Sequence, residues 1–110
     1  MVDISTLERT RGGHKGHLTK YENIAINHEN AIKLVSEDES EELITKLQRL
    51  DEKISVLNEK VYGLAQTDDE TTKAVENADE FEMKLINVTT RFKKIQRSFI
   101  PSIRINPATT

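Results

Sequence analysis

Two consecutive heptad runs constrain this chain more than any other feature. Leu43, Leu47, Leu50, Ile54, Leu57, Val61 and Leu64 alternate steps of four and three residues. Ala74, Ala78, Phe81, Leu85, Val88, Phe92, Ile95 and Phe99 do the same. A 3.5-residue apolar repeat draws one stripe along an α-helix, whereas a strand alternates every second residue. Lys46, Arg49, Asp51, Glu52, Lys53, Glu59 and Lys60 fall between the apolar positions of the first run and suit solvent. The runs are separated by Ala65-Gln66-Thr67-Asp68-Asp69-Glu70, with Gly63 just before the break. Thr67 followed three residues later by Glu70 has the capping-box spacing that starts a helix. Ser36 or Ser40, each followed by acids, is the matching start for the first run. The pattern predicts an extended antiparallel helical hairpin with arms about 45 Å long, at ~1.5 Å per residue. The small Ala74 and Ala78 then face Val61 and Leu64 at the turn end.

The N-terminal segment is less regular. Ile4, Leu7, Leu18, Tyr21, Ala25, Ile32 and Val35 keep one 3.5-residue phase, interrupted by Arg11, His14 and His28. Gly12, Gly13 and Gly16 each cost a helix about 1 kcal/mol against alanine. We expect a helix from about Ile4 to Asn27, frayed at Gly12-Gly13, and a break at Asn27-His28-Glu29-Asn30. Ala31 to Val35 is expected to form a short helical connection. Packed on the hairpin, this helix makes an all-α three-helix bundle, coiled-coil-like over residues 1–99. Pro101 and Pro107 stop any helix, so residues 100–110 read as an extended linker or disordered tail.

Composition fits a bundle better than a compact globule. Of 110 residues, 32% are charged and 35% hydrophobic, with no Trp and no Cys. A helical hairpin needs only one buried stripe per arm. Without cysteine there is no disulfide, thiolate metal site or thiol nucleophile. The start, Met1-Val2-Asp3-Ile4-Ser5-Thr6-Leu7-Glu8, lacks the basic and apolar regions of a signal peptide. No run reaches the ~18 apolar residues of a membrane span. We expect an intracellular, cytoplasmic protein that does not enter a membrane.

Charge is segregated along the chain. Residues 1–20 carry Arg9, Arg11, Lys15 and Lys20, residues 37–82 hold fifteen acids against five bases, and residues 83–104 hold six bases and no acid. In an up-down-up bundle the basic start of the first helix lies beside the acidic start of the third, so self-pairing accounts for part of this pattern. The end of the third helix has less acidic company. Lys93, Lys94 and Arg97 are therefore the candidate nucleic-acid contacts, with segments 9–20 and 91–104 as the wider basic surface.

Residues 11–21, Arg-Gly-Gly-His-Lys-Gly-His-Leu-Thr-Lys-Tyr, resemble the start of the Gag-like polyproteins of BEL/Pao long-terminal-repeat retrotransposons. Lys15, Gly16, Leu18, Thr19, Lys20 and Tyr21 carry the resemblance: a basic residue, a small residue, then an aliphatic residue, Thr, a basic residue and an aromatic. In that family two long charged helices follow, with acids at the turn between them, and then a proline-containing linker. Residues 43–66, 68–99 and 100–110 are similar to those parts. The resemblance implies a structural role in particle assembly and assigns no catalytic residue. No Cys-His knuckle and no Asp-Thr/Ser-Gly protease motif is present.

Sharper chemistries find little support in the residues. His14 and His17 share a helix face, and His28 follows, but no third metal ligand has suitable spacing. Gly12, Gly13, Lys15 and Gly16 do not form the Gly-x-x-x-x-Gly-Lys-Ser/Thr phosphate loop. Nothing orients a Ser-His-Asp triad. We therefore expect no enzyme, cofactor, metal or small-molecule substrate. The sequence reads as a self-association or assembly module whose partner is itself or another helical protein. A nucleic-acid-binding helical module and a stand-alone cellular coiled-coil adaptor are the alternatives.

Overall fold

The computed structural model describes residues 3–99, and they form three helices: α1 (Ile4–Glu29), α2 (Glu37–Leu64) and α3 (Asp68–Arg97). All three pack on one another. The expected all-α bundle is the observed one. Residues 100–110, read above as a linker or tail, lie outside the described residues.

Each helix starts at a side-chain cap. The Asp3 carboxylate accepts from the Thr6 N–H at 2.8 Å, and this bond holds its carboxyl below the usual carboxylate range. Ser36, the earlier of the two candidate starts, opens α2 through a capping box with Glu39, followed by three acids in the first turn. Thr67 and Glu70 form the capping box that opens α3. Lys94 and Arg97 sit in the last turn of α3, where the helix dipole favours cations.

Two local expectations change. Helix α1 runs unbroken through Gly12, Gly13 and Gly16, because Leu7 and Leu18 anchor it on both sides of them. The segment after it is not helical. Ala31 takes a left-handed φ of 57°, Ala31 N–H donates to the His28 carbonyl at 3.0 Å, and Ile32 N–H donates to that of Asn27 at 2.8 Å. This is a Schellman closure with alanine where glycine is usual, at a cost of roughly 1–2 kcal/mol. Val35 then turns back into the core and its N–H donates to His28 Nδ1 at 2.8 Å.

The core is the predicted seam, closed within one chain. Leu43, Leu47, Leu50, Ile54, Leu57 and Val61 of α2 are buried, as are Ala74, Ala78, Phe81, Leu85, Val88, Phe92 and Ile95 of α3. Phe92, Val88 and Leu18 are fully enclosed. Each large side chain so enclosed is worth roughly 1.5–3 kcal/mol. Ile44 and Ser40 are also buried, because α2 is flanked by two helices rather than one. The Ser40 hydroxyl is satisfied by donating to the Glu37 carbonyl at 2.7 Å. The seam ends before both outer positions expected for it. Leu64 closes the last turn of α2 and is 38% exposed. Phe99 lies past the end of α3, partly buried against the core.

Candidate functional site

The chemistry-bearing side chains gather on α1, and their placement follows from its register. Leu7, Arg11, His14, Leu18, Tyr21, Ala25 and His28 alternate steps of four and three, as the α2 and α3 seams do. The residues that interrupt the apolar phase thus occupy seam positions. Arg11 is buried, and His14, Tyr21 and His28 are half-buried. The signal was present in the spacing, but an apolar filter hides it.

Arg11 organises a polar layer across the bundle. Its Nη1 donates to Asn58 Oδ1 of α2 at 2.7 Å. Its Nε lies 3.4 Å from Glu8 Oε2, which accepts from Asn77 Nδ2 of α3 at 3.1 Å. Nε and Nη2 of Arg11 are buried without a hydrogen-bond partner. A partly satisfied buried guanidinium costs stability.

The two flanks of α1 differ in charge. Toward α3, bases meet acids or hydroxyls. Lys15 Nζ lies 3.1 Å from Glu80 Oε1, and Arg91 pairs with Glu29. Lys84 Nζ donates to Thr19 Oγ1 at 2.7 Å and lies 4.0 Å from Glu22. The pairing runs in parallel order along both helices, so the basic start of α1 does lie beside the acidic start of α3. Exposed pairs of this kind contribute about 0.2–1 kcal/mol each. Their main effect is to fix which face of α1 meets α3.

Toward α2, an open groove of about 290 Å³ is lined by His14, His17, Tyr21, Lys46, Arg49 and Lys53, with Leu50 beneath. No acid lines it. Lys46 pairs with Glu42 at 3.2 Å, and among the described residues Arg49 and Lys53 have no ion pair. Partial burial, then the charge of Lys53 and the neighbouring His17, push His14 below its usual histidine range.

Lys93 and Lys94, expected as nucleic-acid contacts, are exposed near the end of α3. Arg97 Nε donates to the Lys93 carbonyl at 3.4 Å, so it also caps its own helix. Both are placements that the helix dipole alone favours. The three histidines do not converge: His14 and His17 line the groove, while His28 holds Val35. Among the described residues no serine or threonine hydroxyl bonds a histidine, and those of Ser36 and Thr67 are spent on helix caps. No described helix is long and apolar enough to cross a membrane.

The outward faces carry a second kind of feature. Met83 is 73% exposed and Ile86 58%, and both lie on α3; Val75 on α3 and Tyr62 on α2 are less exposed. Comparison with family models, with curated proteins and with solved structures returned no match.

Proposed function

We propose that the protein is a non-enzymatic helical self-association module. The observation that carries this reading is the pair Met83 and Ile86, large apolar side chains three residues apart on α3 that are 73% and 58% exposed. The heptad side chains are consumed inside the bundle, so association falls to such outward positions. Val75 and Tyr62 are further exposed apolar side chains nearer the turn between α2 and α3.

The likeness to the Gag-like region of BEL/Pao elements supports an assembly role. Its distinctive residues serve the docking of α1: Leu18 fills the core, Lys15 meets Glu80, and Thr19 accepts from Lys84. Sedimentation equilibrium of the purified chain over a wide concentration range tests the proposal. The expected result is a mass that rises with concentration and a Met83→Glu/Ile86→Glu variant that stays at the monomer mass of 12.6 kDa. A wild-type chain that is monomeric throughout overturns it.

A further inference from the structure

The groove between α1 and α2 differs from the rest of the polar surface. On the α3 side of the same helix, Lys15, Lys84 and Arg91 all have acids beside them. On the α2 side the groove gathers three cations and two imidazoles with no acid in its lining; Lys46 has Glu42 beside it, and among the described residues Arg49 and Lys53 have no ion pair. Like charges held together are unfavourable unless something negative joins them. Burial first, and then the charges of Lys53 and His17, oppose the charged form of His14.

The lining is also aromatic. His14, His17 and Tyr21 bring three flat rings to the wall opposite Lys46, Arg49 and Lys53. Cations along one wall and aromatic rings along the other suit a chain of phosphates carrying bases. Carboxylate side chains of an acidic protein would use the cations and leave the rings idle. The groove is open along its length and has a volume of about 290 Å³. Gly13 lies one turn before His17, and a Cβ built on Gly13 or Gly16 would meet nothing within 4 Å. Those glycines therefore serve no close helix packing. From Lys46 to Lys53 the cations span about 10.5 Å along α2.

We propose that the α1/α2 groove binds single-stranded nucleic acid, with Lys46, Arg49 and Lys53 on the phosphates and His14, His17 and Tyr21 against the bases. This site is separate from Lys93, Lys94 and Arg97. It also excludes Met83 and Ile86, so its failure would leave the self-association reading standing.

The test is fluorescence anisotropy of a labelled oligo(dT) strand titrated with the full chain. Three cations predict that log K falls against log salt with a slope of about −2, a loss of roughly twentyfold between about 50 and about 200 mM. Arg49→Glu/Lys53→Glu should weaken binding by more than about tenfold, while Lys93→Glu/Lys94→Glu changes it by less than about threefold. Circular dichroism checks that the variants fold, and the milder Arg49→Gln/Lys53→Gln pair serves if the charge reversal does not. Tyr21→Leu should weaken binding severalfold without changing the salt slope, as loss of stacking requires. Absence of binding at low salt overturns the proposal, as does a groove variant that binds like the wild type. Polyglutamate that displaces oligo(dT) at equal charge overturns it in favour of an acidic protein partner.

Discussion

Helix α1 and the α2/α3 hairpin solve the same packing problem with different residues. The hairpin closes with an apolar side chain at every enclosed seam position, from Leu43 to Val61 and from Ala74 to Ile95. Helix α1 alternates Leu7, Leu18 and Ala25 with Arg11, His14, Tyr21 and His28. Its three glycines weaken it further, and nothing packs where their side chains would be. The hairpin seam is thus held by apolar burial, with capping boxes opening both of its helices. Helix α1 is held by fewer apolar contacts, with a polar layer and cross-helix ion pairs choosing its orientation. The difference teaches that stability and specificity are carried by different helices in this small domain.

The contrast breaks most completely in the hairpin. Leu50→Asp/Ile54→Asp is expected to unfold the chain, since each buried carboxylate costs several kcal/mol against a total of about 5–15 kcal/mol. Loss of the helical circular-dichroism signal is the readout; an unchanged melt would reject the seam. Leu18→Ala in α1 should cost about 2–5 kcal/mol. Amide exchange should then show α1 opening while α2 and α3 keep their protection; uniform loss would mean that the three helices unfold as one unit.

Arg11→Met sharpens the comparison by making α1 resemble the hairpin. Alone it should destabilise, because Glu8 and Asn58 lose their partner, whereas Arg11→Met combined with Glu8→Leu and Asn58→Leu replaces the layer and should recover most of that loss in urea denaturation. Gly12→Ala, Gly13→Ala and Gly16→Ala should each raise stability by about 1 kcal/mol, additively and with no steric conflict. The smallest effect concerns pH. The folded pKa of His14 is depressed, so near the usual value of 6.5 the unfolded chain binds more protons than the folded one. Stability should therefore fall as pH drops through about 6.5. His14→Gln should flatten that slope; an identical slope would place its source elsewhere.

The hairpin was legible in the sequence because its signals agree. Heptad spacing, the Thr67/Glu70 box and the acidic first turns all point to the same two helices. Helix α1 was legible in extent but not in register use, because Arg11, His14 and His28 look like errors in an apolar pattern until their partners are seen. Arg11 needs Asn58, and His28 needs the Val35 N–H. Such pairings depend on tertiary approach, which spacing cannot convey. The connection after α1 was missed because Ala31 adopts a conformation its side chain disfavours. The α1/α2 groove was invisible for a related reason. Its rings come from α1 and its cations from α2, and in linear sequence Lys46, Arg49 and Lys53 are diluted by the acids around them.

The parallel alignment of α1 with α3, marked by Lys15–Glu80 at one end and Glu29–Arg91 at the other, has a geometric result. With three helices rather than two or four, Asp3 and Phe99 stand at opposite poles of a rod about 40 Å long. Groups attached at those two residues would be kept apart by a fixed distance, and a donor–acceptor dye pair placed there would report bundle opening as a change in span.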